Sequence, residues 1–119
     1  MKYTTSHEWI ELEGKVGVVG ITKHAQKELG EIVYLQLPKI GSRVKEGEEV
    51  SVLESTKAAA DIYSPVSGKI VAIHEELLLH PQKIYTSSEK EGWLFKIEME
   101  NSKEYDALLS LLEYEKLQQ

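Results

Sequence analysis

The stretch "VSVLESTKAAADIYSPVSG", residues 50–68, decides the fold of this chain. One strand begins at Val50, a matching strand leaves through Ile62, and Ser64-Pro65 makes the next turn. Between the two strands lies Lys57, among serine, threonine and alanine residues whose side chains are too small to cover its ammonium group. The pattern predicts a β-hairpin with an exposed lysine at its tip.

Short strands separated by glycines continue on both sides of this hairpin. Glu13-Gly14 predicts a tight turn between two further strands, because Gly14 tolerates a positive φ. Thr22 predicts the N-cap of a short helix that runs to about Leu29. The predicted fold class is therefore mainly β, with one short helix near the N-terminal third.

The C-terminal part of the sequence contains a less regular segment and then a helix. Residues 74–92 predict a long, mostly polar loop around Pro81 with one helical turn over 75–79. Asn101 with Glu104 resembles a capping box, which predicts a single C-terminal helix over about 102–117. The face expected to pack on the sheet carries Tyr105, Leu108, Leu109 and Leu112.

Length and composition limit the class of protein. A chain of 119 residues predicts one domain over residues 1–119. The net charge of -6 argues against nucleic-acid binding, which requires clustered lysine and arginine. The chain has no cysteine, no signal-like start and no apolar run near ~18 residues, so we expect a cytoplasmic protein that does not enter a membrane.

The histidine, serine and glycine patterns do not predict an enzyme. His74-Glu75-Glu76 is not a metalloprotease motif, because position 78 is leucine. Ser6-His7-Glu8 does not predict a hydrolase, because neighbouring residues of a strand point to opposite faces. Gly17 and Gly20 lack the spacing of a phosphate-binding loop. We therefore predict neither catalytic residues nor a metal site.

Lys57 is better suited to modification than to catalysis. A free lysine with a pKa of about 10.4 is a weak nucleophile in water, and no apolar neighbours in the sequence would lower that value. A cofactor attached to an exposed lysine by a flexible stem gains effective concentration at every site that the stem reaches. The sequence therefore predicts Lys57 as an attachment point.

Motifs spread along nearly the whole chain resemble the glycine cleavage system H protein family. Around the lysine they are Glu54-Ser55-Thr56-Lys57-Ala58, Asp61, Ser64-Pro65 and Ser67-Gly68. Elsewhere they are Ser6-His7-Glu8-Trp9, Gly20-Ile21-Thr22, His24-Ala25-Gln26, Leu29-Gly30, Leu37-Pro38 and Gly92-Trp93-Leu94. The resemblance implies a barrel-sandwich hybrid fold, as in lipoyl and biotinyl carriers.

The resemblance also implies a cofactor and a set of partners. Lipoate is expected on Lys57, with Glu54 recognised by a lipoate ligase or a lipoyl/octanoyl transferase. In this family the lipoyl group takes the aminomethyl fragment from the pyridoxal-phosphate-dependent glycine decarboxylase and delivers it to the folate-dependent aminomethyltransferase. Dihydrolipoamide dehydrogenase then reoxidises it. The chain is expected to be a monomeric, non-catalytic carrier.

The family protects its loaded arm in a surface cleft. The matching residues here are Ser6, Glu8, Ile21 and Asp61, of which the two carboxylates suit a cationic amine and Ile21 suits the lipoyl chain. Some relatives have a histidine near this cleft at the position of Glu28.

Other functions remain open at this point. The segment from His74 to Glu91 departs from the family pattern, so a carrier for lipoate relay or for another acyl or redox system is the alternative. A biotin carrier would usually have methionines where Thr56 and Ala58 stand, and a true enzyme is the third class.

Overall fold

Nine strands and five helices are present in residues 1–118, the part of the chain that the computed structural model describes. Gln119, the last residue of the predicted domain, lies outside the described residues. The strands are β1 (Lys2–Tyr3), β2 (Glu8–Glu13), β3 (Val16–Ile21), β4 (Ile32–Gln36), β5 (Arg43–Val44), β6 (Glu49–Ser55), β7 (Ala59–Tyr63), β8 (Gly68–Ile73) and β9 (Phe95–Met99). The helices are α1 (Lys23–Leu29), α2 (Glu76–Leu79), α3 (Gln82–Thr86), α4 (Ser102–Asp106) and α5 (Leu111–Leu117).

The strands form two antiparallel sheets that share one hydrophobic core. The larger sheet has the order β1-β2-β3-β9-β8-β5, and the smaller has the order β4-β6-β7. Ile10, Val19 and Ile97 of the larger sheet and Leu53 and Ile62 of the smaller sheet are buried together. The predicted mainly β class is confirmed by this arrangement.

The hairpin of β6 and β7 forms as the sequence predicts, but its inward face differs from the simplest expectation. Leu53 and Ile62 are buried, whereas Val50 and Val52 are only half-buried. Ser51 also points inward, and its hydroxyl donates to the Gln36 carbonyl of β4. The core beneath the hairpin is therefore built from the positions that alternate with the two valines.

The helix α1 forms at the predicted place. The Thr22 hydroxyl accepts a hydrogen bond from the Ala25 N–H at 3.3 Å, and the helix ends at Gly30, which has a φ of 78°. The Gly30 N–H donates to the Gln26 carbonyl at 2.8 Å. A side chain at position 30 would strain this backbone.

The irregular segment contains more helix than predicted. The helical turn near residues 75–79 is present as α2, but α3 occupies a region predicted as loop. Leu77 of α2 and Ile84 of α3 are both fully buried. α3 is only five residues long and buries a single residue, Ile84, which is too weak a periodic signal to reveal a second helix in the sequence.

The prediction of one continuous C-terminal helix was wrong. Tyr3 and Leu109 exchange backbone hydrogen bonds of 2.8 and 2.9 Å, which hold the chain extended between α4 and α5. The capping box lies at Ser110 and Glu113, and Leu112 is 66% exposed. The carboxylate of Glu104 instead accepts hydrogen bonds from Ser67, at 2.7 Å from its N–H and 2.9 Å from its hydroxyl.

None of the helices within residues 1–118 is both long and apolar enough to cross a membrane.

Candidate functional site

Lys57 lies at the exposed tip of the hairpin between β6 and β7. The Ser55 N–H donates to the Ala58 carbonyl at 2.8 Å and closes the turn. The Ser55 hydroxyl oxygen accepts hydrogen bonds from the Ala58 N–H at 3.0 Å and from the Lys57 N–H at 3.3 Å. One small polar side chain thus fixes the turn and leaves the lysine side chain outside it.

The stem of Lys57 lies over the C-terminal end of α1. A methyl group built on Gly30 would lie 3.4 Å from Lys57 Cε and 3.8 Å from Lys57 Nζ. Both distances are ordinary van der Waals contacts, so the lysine stem lies beside Gly30 with room for a methyl group between them. The base of any group attached to Lys57 Nζ therefore lies next to the end of α1.

Glu54 lies beside the lysine on the same hairpin. It is exposed on β6 and pairs with Tyr34 of β4 and Ala59 of β7. Tyr34 is itself 53% exposed. The carboxylate and the lysine are thus accessible together to an enzyme that approaches the tip of the hairpin.

A cleft of about 240 Å³ runs between α1 and β7, close to Lys57. The buried side chains of Ile21, Leu29 and Ile62 give it an apolar floor. Its lining residues are Ser6, His7, Ile21, Ala25, Glu28, Leu29, Ala58, Ala59, Ala60, Asp61 and Ile62. Three of the four predicted cleft residues, Ser6, Ile21 and Asp61, are therefore brought together by the fold.

The fourth predicted residue, Glu8, does not line this cleft. It is fully buried behind Ser6 and borders a neighbouring cavity of about 280 Å³, which Ser6 also lines. Glu8 Oε1 accepts hydrogen bonds from the hydroxyls of Thr4 at 2.5 Å and Ser6 at 2.6 Å. Its second oxygen accepts from the Tyr63 N–H at 3.3 Å. Glu8 is thus connected to the cleft indirectly, through its hydrogen bond with the Ser6 hydroxyl.

Burial shifts the pKa of the Glu8 carboxyl. Removal from water raises the pKa of its carboxyl above the ordinary value of 4.5, and the hydrogen bonds from Ser6 and Thr4 act in the opposite direction. A cation placed in the cleft beside Ser6 would favour the ionised form of Glu8 and would in turn be stabilised by it.

Two histidines lie at the side of the cleft. The rings of His7 and His24 have centroids 4.7 Å apart, and His7 Nδ1 lies 2.7 Å from the Tyr114 hydroxyl. The same hydroxyl lies 2.7 Å from Thr22 Oγ1, so α5 is tied to the start of α1. Burial, followed by the charge of His24, lowers the pKa of His7 below 6.5.

The sequence did not reveal this histidine pair. The sequence predicts Ser6 and His7 as strand residues, but β2 begins only at Glu8, and His7 has a φ of 72° in the preceding turn. Ser6-His7-Glu8 does not form a catalytic triad. The Ser6 hydroxyl donates a hydrogen bond to Glu8, whereas His7 Nδ1 is hydrogen-bonded to the Tyr114 hydroxyl. The left-handed backbone conformation of His7 cannot be predicted from its residue type alone.

Comparison with known proteins identifies the family of the chain. A family profile described as "Glycine cleavage H-protein" matches residues 1–119. The chain belongs to the glycine cleavage H-protein family. The resemblance found in the motifs around Lys57 is confirmed by this match.

Individual relatives are similar over nearly their whole length. A glycine cleavage system H protein from Thermotoga maritima is 51% identical over 114 residues, covering 96% of this chain and 92% of that protein. A second, from Carboxydothermus hydrogenoformans, is 46% identical over 117 residues, covering 98% of this chain and 90% of that protein. The H-protein similarity therefore includes the segment that departs from the family pattern.

A solved H-protein structure has the same fold. The crystal structure of a glycine cleavage system H protein from Mycobacterium marinum gives a TM-score of 0.89 at 33% identity, covering 98% of this chain and 94% of that chain. The predicted barrel-sandwich hybrid is confirmed by this likeness.

Membership of the H-protein family confirms the broad functional predictions. H proteins carry lipoate on a lysine and act as non-catalytic carriers in glycine cleavage, between the decarboxylase and the aminomethyltransferase. The alternative role in lipoate relay or another acyl or redox system is not favoured, because the relatives bear the name of the glycine cleavage system.

Proposed function

We propose that lipoate is attached to Lys57. The chain uses this group to carry the aminomethyl fragment of glycine from the decarboxylase to the aminomethyltransferase. The observation that supports this most is the position of Lys57, exposed at a hairpin tip with its stem against Gly30 and a cleft close by. Lipoate supplies a disulfide at the end of a long flexible stem, which is the reactive group that such a carrier needs.

The hairpin meets the needs of an attaching enzyme. Lys57 has small neighbours, so an active site can surround the lysine stem without displacing a bulky side chain. Glu54 offers that enzyme a carboxylate on the same exposed edge. We propose that a lipoate ligase or a lipoyl/octanoyl transferase recognises this pair.

The cleft meets the needs of a stored arm with a cationic cargo. Its floor of Ile21, Leu29 and Ile62 suits an aliphatic chain, which gains free energy by leaving water. Asp61 and Ser6 supply oxygen atoms that can accept hydrogen bonds from an amine. Because Ser6 donates its proton to Glu8, its hydroxyl oxygen is left as an acceptor for that amine.

Further parts of the proposal concern organisation and partners. We propose that residues 1–119 act as one carrier domain, since α5 contacts both β1 and α1 through Tyr114. Lysine and cleft come from one chain, which supports a monomer. Dihydrolipoamide dehydrogenase is proposed to reoxidise the arm. A cytoplasmic location stays a prediction from the sequence.

The attachment is tested by intact mass after lipoylation of the purified chain. Lys57→Arg should carry no lipoyl mass, whereas Lys45→Arg, which alters another exposed lysine in a turn, should be modified like the original chain. Both variants should unfold at the denaturant concentration of the original chain, since exposed substitutions change stability by about 0.5 kcal/mol or less. Lipoyl mass on Lys57→Arg would place the attachment elsewhere.

The role of Glu54 is tested by the rate of the same reaction. Glu54→Ala should slow lipoylation without abolishing it, because the lysine and its turn remain in place. Glu48→Ala, another exposed glutamate, serves as the control and should be modified at the original rate. Equal rates for both variants would remove Glu54 from the proposal.

A further inference from the structure

We propose that Glu28 is a third carboxylate for the cationic cargo and that it increases the preference of the cleft for a charged amine over a neutral group. The inference rests on the proposed function, in which the arm is stored between α1 and β7. Glu28 lies on the α1 side of this cleft, whereas Asp61 lies on the β7 side. A cargo between the two would have an acid on each side.

Glu28 is held in place by a neighbour on its own helix. His24 Nε2 lies 2.8 Å from Glu28 Oε1, in an i,i+4 pair. Among residues 1–118, Glu28 Oε2 has no hydrogen-bond partner. One oxygen therefore fixes the side chain, and the other remains available to a ligand at the cleft.

The charge around the cleft favours a cation. Glu28 and Asp61 are the carboxylates among its lining residues, and these described residues include neither lysine nor arginine. Lys57 approaches from the end of α1, but an amide bond to lipoate removes its charge. His7, the remaining titratable residue of the lining, has its pKa lowered by burial and by His24, which favours the neutral ring at neutral pH. A loaded arm therefore meets two acids and no fixed positive charge.

The size of the effect follows from the exposure of Glu28. Its side chain is 67% exposed, so water weakens its attraction for an amine. We expect it to raise the pKa of a cleft-bound amine by about 0.2 to 0.7 units, the range of a solvent-exposed ion pair. Asp61 and the Ser6–Glu8 pair provide the rest of the polar contacts in the proposal.

The test uses a stable cationic arm that needs no partner enzyme. The chain has no cysteine, so the two thiols of reduced lipoate are the only thiols of the lipoylated protein. One thiolate displaces bromide from ¹³C-labelled 2-bromoethylamine, and iodoacetamide caps the other thiol. The singly aminoethylated carrier is purified and identified by its intact mass. ¹³C NMR then gives the pKa of its amine.

Three carriers and one free compound are compared. Glu28→Gln should lower the amine pKa by about 0.2 to 0.7 units relative to the original carrier. Glu75→Gln should leave it unchanged, because Glu75 is exposed and does not line the cleft. Equal pKa values for the Glu28→Gln and Glu75→Gln carriers would overturn the role of Glu28.

The free compound separates this proposal from cleft storage. If the amine of the original carrier titrates like that of aminoethylated lipoamide in solution, the arm is not stored in the cleft, and Glu28 loses its role as well. If the amine pKa is raised in the original carrier and is raised to the same extent in Glu28→Gln, storage stands and only Glu28 is rejected. Loading from glycine is measured separately and does not enter either comparison.

Discussion

Gly30 and the Lys57 side chain are neighbours at the end of α1: a methyl group on the glycine would contact Lys57 Cε at 3.4 Å. The helix ends in a residue that accepts a φ of 78°, and a methyl group added to it would contact the lysine stem and limit its movement. A residue that shapes the modification site thus lies 27 positions before the lysine, the difference between 57 and 30.

Gly30→Ala should slow lipoylation of Lys57 as well as destabilise the fold. The control is Gly41→Ala, because Gly41 has a φ of 92° and a methyl group added to it would have no other atom within 4 Å. Both variants should lose at least ~1 kcal/mol of unfolding free energy from backbone strain, measured in urea. Only Gly30→Ala should show a lower rate of modification. Equal rates would show that Gly30 serves the backbone alone.

Neutralising the acids near Ser6 should shorten the lifetime of the loaded arm. Glu8→Gln combined with Asp61→Asn removes a charge behind Ser6 and one on β7, while the lysine turn is untouched. A charge-assisted hydrogen bond contributes about 1.5–3 kcal/mol, less where water has access, so cargo loss should be several-fold faster. Mass spectrometry of the loaded carrier over time gives the rate. Lipoylation itself should proceed as in the original chain, and an unchanged lifetime would argue against storage beside these acids.

The stability of the fold should depend on pH through Glu8. Its pKa is raised in the folded chain, so the unfolded chain loses this proton first as pH rises from about 4.5. The contribution of Glu8 to stability is therefore fully present below 4.5 and is lost as pH rises through the folded value. Relative to the original chain, Glu8→Gln should gain stability over this pH window and then level off. A difference in unfolding free energy that is flat with pH, or of opposite sign, would contradict the raised pKa.

Tyr114→Phe should weaken the link between α5 and the cleft. The Tyr114 hydroxyl lies 2.7 Å from both His7 Nδ1 and Thr22 Oγ1, and Thr22 is also the N-cap of α1. We expect a loss of about 1–2 kcal/mol in the unfolding free energy measured in urea, because the buried Thr22 and the half-buried His7 each lose a hydrogen-bond partner. Tyr105→Phe is the control, since the Tyr105 hydroxyl makes no hydrogen bond within the described residues, and it should change stability by no more than about 0.5 kcal/mol.

Features that depend on near neighbours could be predicted from the sequence. The hairpin around Lys57 follows from alternating strands and small turn residues, and α1 follows from the Thr22 hydroxyl and the glycine at its end. In each case the deciding contacts lie within a few residues of each other, so residue type and spacing carry the information.

Features that depend on distant contacts could not be predicted. The C-terminal helix is interrupted because Leu109 pairs with Tyr3, about a hundred positions earlier in the chain. The family resemblance groups Glu8 with Ser6 and Asp61, but the turn before β2 places Glu8 behind Ser6 rather than among the residues that line the cleft. The contact of Glu28 with the cleft also depends on how α1 packs against β7, and the sequence indicates it only through the family resemblance.

We propose that Lys57 carries the cargo of glycine cleavage, and glycine-dependent loading of the lipoylated chain measures this step itself. The lipoylated chain is incubated with glycine and the decarboxylase, and intact mass is followed with and without the aminomethyltransferase and tetrahydrofolate. We predict an added aminomethyl mass on the original chain and on Lys45→Arg that disappears when the transferase is supplied, and none on Lys57→Arg. A fully lipoylated original chain that never gains this mass, or a Lys57→Arg chain that does, would show that Lys57 does not carry the aminomethyl cargo.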